Sequence, residues 1–227
     1  MRRSMIALLM LGAAVSAVVP VSVVAASSGP ERAFVGSDLF RLEGATDPQV
    51  SPDGSQIAYV RLANDVMTDR AVPSIWLVDV STGGQRPLVG GAGAQVSPRW
   101  SPDGKRLAYI ASGDGGSALH VLWLDGKADA RLTNLPDSPG AISWSPDGHS
   151  IAFVMRVPGQ ALTLGEAPAR PEGAKWADGL EVIDKVTYRA DGEGYRRPGY
   201  SHLFVIPADG GAARQLTFGN FDDDGPL

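Results

Sequence analysis

Three aspartates in a repeated tetrapeptide are the first candidates for chemistry in this sequence. The tetrapeptide Ser-Pro-Asp-Gly lies at 51–54, 101–104 and 145–148, so the acids are Asp53, Asp103 and Asp147. Aspartate can act as a base or a metal ligand, but this tetrapeptide also suits a tight turn. Proline fixes φ, aspartate bonds the backbone ahead of it, and glycine accepts a positive φ. Because identical acids occupy identical turn positions, we expect all three to be structural.

A serine nucleophile is the second candidate. The segment Gly199–Leu203 comes closest to Gly-x-Ser-x-Gly, the motif whose strained turn exposes the serine of a hydrolase. It has leucine in the last position, so Ser201 lacks the required elbow. Only His120, His149 and His202 are available as a triad base. We expect His149 to face solvent and the other two to be structural, so we assign no catalytic residue to this chain.

Metal and cofactor sites are not indicated. The chain has no cysteine, which excludes disulfides, thiolate metal sites and a cysteine nucleophile. The scattered histidines lack the spacing of a zinc site. The run Asp222-Asp223-Asp224 lacks the spacing of a calcium loop and predicts an acidic loop before a strand. The segment 113–118 partly matches a dinucleotide fingerprint, but no helix is predicted after it.

Composition excludes further classes of protein. The 227 residues include 20 Lys and Arg against 25 Asp and Glu, a net charge of −5, which argues against binding to nucleic acid phosphates. Apolar residues at 44% and charged residues at 20% are typical of a globular protein. The 28 glycines and 17 prolines favour a fold with many tight turns.

The amino terminus predicts a secretory signal peptide. Met1-Arg2-Arg3 is basic, Met5 to Val19 is apolar and uncharged, and Val23 to Ser27 offers small residues for cleavage. The alternative is an uncleaved membrane anchor, which needs about 20 apolar residues, whereas this run is shorter and is interrupted by Pro20. We assign 1–26 to the signal peptide. The protein is therefore expected to be exported, periplasmic or secreted, with no membrane attachment after cleavage.

The tetrapeptide belongs to a longer repeat, because its serines are separated by 50 residues (51 to 101) and then by 44 (101 to 145). Trp100 and Trp144 precede two copies, and Val50 precedes the first. Each turn is followed by a large residue, alanine, an aromatic residue and a β-branched residue, at 57–60, 107–110 and 151–154. Such residues around a tight turn predict a β-hairpin.

Each repeat continues with two more predicted strands. The third strands are predicted at Ile75–Asp79, Val121–Asp125 and Leu203–Ile206, and the fourth at Arg86–Leu88, Arg131–Thr133 and Gln215–Thr217. Four short antiparallel strands with this period are the blades of a β-propeller. The apolar runs indicate sheets covered on both faces, and the repeated alanine leaves room for the neighbouring sheet. A β-sandwich is the main alternative, but it does not repeat its turn at this spacing.

We therefore predict an all-β chain, a partial β-propeller over 45–227 after a lead-in at 27–44. The blades are predicted at about 45–91, 92–135 and 136–220. The spacing places the next turn near position 229, so the start of a fourth blade is expected. Because propellers have about 4–8 blades, the ring is not closed in this chain and a poorly stable monomer is expected. The chain is expected to be the amino-terminal part of a longer protein or a truncated gene product.

The third blade carries a predicted insertion at about 157–200. Its first part, 158–171, predicts a loop, and 182–189 predicts a strand, with a short helix as the alternative. Long insertions between regular strands often carry function. Two roles are open: an arm in which Arg196 or Arg197 meets a carboxylate of a substrate or another domain, or a solvated loop whose arginines pair with nearby acids.

The sequence resembles a known family of enzymes. The Trp-Ser-Pro-Asp-Gly blades, the export signal and the segment Lys185–Gly192 leading to Ser201–Val205 look like the propeller of the prolyl oligopeptidase family of serine peptidases. The closest branch is that of acylaminoacyl-peptidases and dipeptidyl-peptidases, and the resemblance covers about 34–227. It implies a propeller that caps an α/β-hydrolase domain, filters peptides by size and helps frame the active site. The catalytic Ser, Asp and His then belong to the hydrolase domain downstream.

Two functions are compatible with these observations. In the first, the chain is the non-catalytic propeller portion of an exported serine peptidase, inactive alone, whose peptide substrates reach a hydrolase domain missing from this chain. In the second, it is a TolB-like periplasmic propeller for protein–protein binding, because the blade motif is shared with TolB-type propellers. A Gly-x-Ser-x-Gly motif downstream distinguishes the first from the second. Neither function implies a cofactor or a nucleic acid partner.

Overall fold

The computed structural model describes most of the chain after residue 32. The described residues are 33–90, 93–113, 115–160, 165, 168–177, 182–183, 186–191 and 194–223. The predicted signal peptide at 1–26, Asp224 and the predicted start of a fourth blade lie outside these residues. The chain divides into two units, Met1–Val35 and Gly36–Leu227, and the described strands all lie in the second.

The second unit consists of a short helix and three four-stranded sheets, called blades 1, 2 and 3. The helix is a 3₁₀ helix at Gly36–Arg41. Blade 1 contains β1 (Glu43–Val50), β2 (Gln56–Asp65), β3 (Arg70–Asp79) and β4 (Gln85–Pro87). Blade 2 contains β5 (Ala94–Trp100), β6 (Arg106–Gly113), β7 (Gly116–Trp123) and β8 (Ala128–Arg131). Blade 3 begins with β9 (Gly140–Trp144) and β10 (Ser150–Pro158). The short strands β11 (Arg189–Ala190) and β12 (Gly194–Tyr195) form a separate hairpin, and β13 (Gly199–Pro207) and β14 (Arg214–Gln215) complete blade 3.

Each blade is an antiparallel meander, which confirms the predicted four-stranded unit. Within a blade each strand pairs with the next one along the chain, except that the insertion separates β10 from its partner β13. The described residues contain almost no helix, and their three sheets do not close into a ring. The all-β, partial-propeller prediction is therefore confirmed.

The repeated tetrapeptide forms the turn between the first and second strands of each blade. In blade 1 the Ser51 hydroxyl donates to Asp53 Oδ1 at 2.6 Å, and the same oxygen accepts the Ser55 N–H at 3.0 Å. The Gly54 N–H donates to the Ser51 carbonyl, and Gly54 has φ +73°, a value that side-chain-bearing residues resist. Blades 2 and 3 repeat the same bonds. The turn thus fixes the hairpin register locally.

The sheets pack face to face. Because side chains alternate across a strand, each blade has a leading face toward the preceding blade and a trailing face toward the following one. In blade 2, Leu107 and Tyr109 of the leading face pack in a cluster with residues of blade 1: Ala58, Ile75 and Leu77. Ala108 and Ile110 of the trailing face pack with residues of blade 3, among them Ile151 and Phe153. The middle sheet is therefore covered on both faces, as the apolar runs of the sequence predict.

A tryptophan joins blade 2 to the first strand of blade 1, and another joins blade 3 to the first strand of blade 2. The Trp100 indole N–H donates to the Gln49 carbonyl of β1 at 2.9 Å, and the Trp144 indole donates to the Arg99 carbonyl of β5 at 3.0 Å. Arg106 adds a second link, because its guanidinium lies 4.8 Å from the Trp144 ring and donates to the Gly148 carbonyl at 2.7 Å.

The first strands of the three blades, which are their innermost strands, share a β-bulge. In β1, β5 and β9 the register shifts at a residue in the left-handed region: Asp47 (φ +48°), Ser97 (φ +57°) and Ala141 (φ +46°). Each of these lies four residues before the serine of the turn. The left-handed conformation costs a non-glycine residue about 1 kcal/mol, so packing between blades must compensate for it.

The strand predicted at 182–189 is wrong at 182–183 and 186–188, its last residue does lie in a strand, and 184–185 lie outside the described residues. Val182 and Ile183 are not in a strand, and the strand β11 begins at Arg189. The physical reason is a lack of burial, because the Val186 side chain is 99% exposed and Ile183 is 52% exposed. β-branched residues favour a strand only where a neighbouring strand or sheet covers them.

Replacing Trp144 with phenylalanine tests the link between blades. The ring remains but the indole N–H to Arg99 is lost, so we expect the free energy of unfolding to fall by about 1 kcal/mol. Urea unfolding followed by circular dichroism measures this. Trp176→Phe is the matched control, because that side chain is 46% exposed in the insertion and its loss should leave stability unchanged. Equal losses in both variants would contradict the assigned role of the indole.

Candidate functional site

The carboxylates of the turn aspartates accept hydrogen bonds from residues of their own turns. The Ser51 hydroxyl, followed by the Ser55 N–H and hydroxyl, lowers the pKa of Asp53 to about 2. The hydroxyls of Ser101 and Ser145 lower the pKa values of Asp103 and Asp147 in the same way. A carboxylate that is held ionised by several donors is a weak base. The three acids lie on three separate hairpins, and among the described residues they do not form a group placed to hold a metal ion.

Ser201 and His202 do not form a nucleophile–base pair. They are neighbours on β13, so their side chains point to opposite faces of the sheet. The His202 side chain is buried, and its Nδ1 lies 3.2 Å from Asp223 Oδ2. The Thr217 hydroxyl donates to the same oxygen and is the main reason that the pKa of Asp223 is lowered. The histidine therefore ties the segment after β14 to the start of β13.

The acidic segment after β14 makes further bonds to Ser201. The Ser201 N–H donates to Asp222 Oδ1 at 2.7 Å, and its carbonyl accepts the Asp223 N–H at 2.8 Å. These two aspartates are thus engaged in fixing the chain, and Asp224 lies outside the described residues. Within the described ranges, no group of three His, Asp or Glu side chains is placed to hold a metal ion.

His120 belongs to a polar cluster on the leading face of blade 2. Its Nδ1 lies 3.3 Å from both carboxylate oxygens of Asp129, and the Tyr109 hydroxyl donates to the same carboxylate at 2.8 Å. Burial, followed by the bond to Asp129, raises the pKa of Tyr109. Tyr109 packs at the interface with blade 1, and the cluster supplies a hydrogen-bond partner for its buried hydroxyl. His149 is exposed, as expected for a residue after a turn.

The insertion is the one part of the described array that departs from the blade repeat. It joins β10 to β13, and in an antiparallel meander this connection lies at the end of the sheet opposite the Ser-Pro-Asp-Gly turn. Its described portions, between Pro158 and Gly199, are called the arm. In blades 1 and 2 the same connection is a tight turn, so the arm projects from an end that is otherwise compact.

Arg156 fastens the base of the arm. It lies on β10 and donates to the Asp137 carboxylate at 2.7 Å and to the Pro198 carbonyl at 2.9 Å. The Gly159 N–H donates to the same Pro198 carbonyl at 3.1 Å. The guanidinium therefore connects the linker between blades 2 and 3 to the returning end of the arm, with charge-assisted bonds.

A glycine permits the close approach of the two ends. Gly199 has φ +133°, and a Cβ placed there would lie 2.3 Å from the Val157 carbonyl oxygen. No side chain fits in that space. The arm thus leaves and re-enters blade 3 through a fixed, narrow base.

The tip of the arm presents aromatic and basic side chains to solvent. Tyr188 and Tyr195 have ring centroids 6.1 Å apart, and the Arg196 N–H donates to the Tyr188 carbonyl at 2.8 Å. Arg196 and Arg197 are exposed, and neither forms an ion pair with another described residue. Exposed guanidinium groups beside tyrosines can bind carboxylates and pack against peptide planes.

The arginine ion pairs among the described residues were not foreseen from the sequence, and two of them have well-defined roles in the array. Besides Arg156 with Asp137, Arg99 of β5 donates to both Asp47 carboxylate oxygens of β1 at 2.9 and 2.8 Å. This second pair joins the innermost strands of blades 1 and 2. Arg99 and Asp47 meet only when blades 1 and 2 have stacked, whereas Arg156 meets Asp137 where β9 pairs with β10 within blade 3. Neither pair has a signal in the local sequence.

Antiparallel four-stranded meanders that stack through their faces define a β-propeller, and the described residues form three of its blades without closing a ring. A family model described as the TolB beta propeller domain matches residues 43–162, and the chain belongs to this family. The resemblance to TolB-type blades noted in the sequence is thereby confirmed.

Curated relatives include peptidases. The chain is 30% identical over 200 residues to the uncharacterized peptidase YuxL of Bacillus subtilis, covering 86% of this chain and 29% of that protein. It is 28% identical over 173 residues to dipeptidyl-peptidase 5 of Porphyromonas endodontalis, covering 71% of this chain and 24% of that protein. The chain therefore spans less than a third of the length of these relatives.

A solved structure shows the same fold. The acylaminoacyl peptidase of Pyrococcus horikoshii matches with a TM-score of 0.60 and 16% identity, over 78% of this chain and 25% of that one.

Within the described residues, no helix has the length and apolar character needed to cross a membrane.

The turn aspartates predict how stability responds to acid. The pKa of Asp53 is lower in the folded chain (about 2) than its ordinary 3.8, so its contribution is present above pH 3.8 and lost as the pH falls toward 2. We therefore expect the stability gap between the wild type and Asp53→Asn to be largest near neutral pH and to shrink in acid.

Urea midpoints between neutral pH and about pH 2.5 measure this gap. Asp69→Asn is the control, because the Asp69 carboxylate accepts no hydrogen bond from the other described residues. Its gap to the wild type should not change with pH in the same way. A gap for Asp53→Asn that is constant across the range would refute the assignment.

Arg156→Met tests the base of the arm. Loss of the bonds to Asp137 and Pro198 should loosen the arm, so we expect chymotrypsin to cut between 159 and 198 about tenfold faster. Mass spectrometry of the fragments locates and times the cuts. Arg214→Met, at an exposed position on β14, is the matched control and should leave the rate unchanged. Unchanged cleavage in Arg156→Met would show that the guanidinium does not hold the arm.

Proposed function

We propose that this chain is the non-catalytic propeller portion of an exported serine peptidase of the prolyl oligopeptidase family. In this proposal it frames and filters peptide substrates for an α/β-hydrolase domain outside this chain. The observation that carries the proposal is the match to two peptidases over most of this chain but under a third of their own length. The peptide is the substrate class, and no cofactor is required.

The geometry around Ser201 supports the non-catalytic part of the proposal. The buried His202 imidazole contacts Asp223, while the Ser201 side chain lies on the other face of β13. A serine hydrolase needs the hydroxyl and the imidazole within hydrogen-bond reach of each other. The peptidase chemistry is therefore assigned to the domain outside this chain.

The arm supports the substrate-framing part. Its base is fixed by Arg156 and Gly199, while Tyr195, Arg196 and Arg197 remain exposed near its tip. A rigidly based element with exposed guanidinium and aromatic groups can hold a peptide carboxylate and restrict the entry of larger chains. We place the arm at the rim of the route by which peptides enter.

Export is part of the proposal. It rests on the basic start, the apolar run and the small residues of 1–26, which have the order of a secretory signal peptide. The corresponding location is periplasmic or secreted. The absence of cysteine is compatible with an oxidising compartment, because no thiol is present to react there.

A TolB-like propeller that binds other proteins is the second candidate. The match of 43–162 to the TolB beta propeller domain supports it. The two candidates differ in the domain expected after the propeller, because only the first requires a Gly-x-Ser-x-Gly nucleophile in the same protein.

Hydrolysis of peptide nitroanilides tests the proposal directly. We expect the purified chain to release no nitroaniline, and Ser201→Ala to behave as the wild type. Hydrolysis that disappears in Ser201→Ala would overturn the non-catalytic assignment, with Ser138→Ala as the matched control.

The coding sequence beyond the Leu227 codon decides between the candidates. Further blades and then a Gly-x-Ser-x-Gly motif support the peptidase, whereas further blades without it support the protein-binding propeller.

A further inference from the structure

The dipeptide Asp-Gly occurs nine times in this sequence, and five of these pairs lie among the described residues. They are the pairs at 53–54, 103–104, 125–126, 147–148 and 209–210. Asp-Gly can react with itself, because glycine has no side chain to keep its backbone nitrogen away from the aspartate carboxyl group. The local structure therefore decides which of these pairs are reactive.

In four of the five pairs, called the held pairs, the glycine N–H donates to the backbone carbonyl of the third residue before it. These bonds are 2.8–3.0 Å long and run from Gly54 to Ser51, Gly104 to Ser101, Gly148 to Ser145 and Gly210 to Pro207. Such a nitrogen must give up a hydrogen bond before it can react. In the three Ser-Pro-Asp-Gly turns the serine hydroxyl also lowers the pKa of the aspartate, so the carboxyl group stays ionised and does not readily lose its oxygen as water.

The pair Asp125–Gly126 is arranged differently. It lies in the exposed turn between β7 and β8, and the Gly126 N–H donates to Oδ1 of Asp125 itself at 2.6 Å. Among the described residues this N–H has no backbone acceptor. The nitrogen therefore lies beside the carboxyl group whose carbon it would attack. Groups held at near-contact distance react faster than groups that must first be brought together.

A close contact alone is not sufficient for reaction, as Asp137 illustrates. The Ser138 N–H donates to Asp137 Oδ1 at 2.8 Å, which is the same contact between adjoining residues. However, Asp137 Oδ2 accepts a charge-assisted bond from Arg156 at 2.7 Å, and the Ser138 side chain crowds the attacking nitrogen. Among the described residues Asp125 forms no ion pair, and its neighbour is glycine. Asp125 therefore combines the contact with an unhindered nucleophile.

We propose that Asp125–Gly126 is a site of spontaneous covalent modification, at which the aspartate converts to isoaspartate. The Gly126 nitrogen bonds to Asp125 Cγ, the nitrogen loses its proton and Cγ loses its hydroxyl, so one water leaves and a succinimide ring remains. Water then adds to the backbone carbonyl carbon of Asp125 and the bond from that carbon to the Gly126 nitrogen breaks. The chain now runs through Cγ, the former backbone carbonyl is a free carboxylate, and the mass is unchanged. Both reacting groups belong to adjoining residues, so the proposal depends neither on the proposed function nor on what surrounds this turn in a longer protein.

The modification affects the fourth strand of blade 2. Isoaspartate adds one methylene to the backbone of the turn, and Trp123 and Ala128 on either side of this turn form the first pair of β7 with β8. A longer backbone in so short a turn disturbs that pairing. β8 also carries Asp129, whose carboxylate accepts the Tyr109 hydroxyl. Conversion at Asp125 therefore loosens the outer strand of the blade as the protein ages.

Peptide mapping of the full chain during storage in neutral buffer tests the site. Electron-transfer fragmentation distinguishes isoaspartate from aspartate at each position. We expect conversion at 125–126 to be about fivefold faster than at each held pair, because the held nitrogens must first lose a hydrogen bond. In urea, which unfolds the chain, the five pairs should convert at similar rates. A folded chain in which 125–126 converts no faster than the held pairs overturns the proposal.

Two variants test the consequence and the cause. In Asp125→Glu the charge remains but a larger ring would be needed, so conversion at this position should stop. Storage should then lower the urea midpoint of the wild type more than that of Asp125→Glu. Ser51→Ala removes the hydroxyl that holds the Asp53 carboxylate, so conversion at 53–54 should rise while that at 125–126 stays unchanged. Equal midpoint losses in the wild type and Asp125→Glu, or no rise at 53–54 in Ser51→Ala, would contradict the assignment.

Discussion

Burial of both faces of the middle sheet is the interaction on which the rest of the array depends. A four-stranded sheet with one or both faces in water gains little from its own hydrogen bonds. Blade 2 has a neighbour on each side, and its alternation of large residues with alanine allows both neighbours to approach closely. The left-handed residues of the inner strands and the narrow base of the arm are tolerable because this packing holds them in place.

Much of this fold could be predicted from the sequence because its information is local and repeated. The turn at Ser101 and the strand after it are specified by neighbouring residues, and three copies confirm one another. The arm has no second copy, and its run of β-branched residues near Val186 suggested a strand that the structure does not form. Strand preference required a covering sheet, and the sequence alone could not show that none was present.

The candidate site also has one part that could be predicted from the sequence and one part that could not. The structural role of the three turn aspartates could be predicted, because the donors that hold each carboxylate lie within two residues of it. The fastening of the arm could not be predicted, because Arg156 and Asp137 lie 19 residues apart and meet only when β9 has paired with β10. Among the described buried side chains every nitrogen and oxygen has a hydrogen-bond partner, so the polar groups of the array serve its architecture. The exposed side chains that could bind a ligand, Tyr195, Arg196 and Arg197, lie near the tip of the arm.

The bulge in each innermost strand sets a fixed distance to the turn, with three residues between the left-handed residue and the serine. One residue added or removed in this stretch would turn the indole of Trp100 or Trp144 to the other face of its sheet. By contrast, the connection between the second and third strands is a few residues long in blade 1 and about forty in blade 3. Each blade thus has one end whose loop length is fixed and one end whose loop length can vary. Foreign loops can be grafted at the end that bears the arm, whereas the end that bears the turns must keep its length.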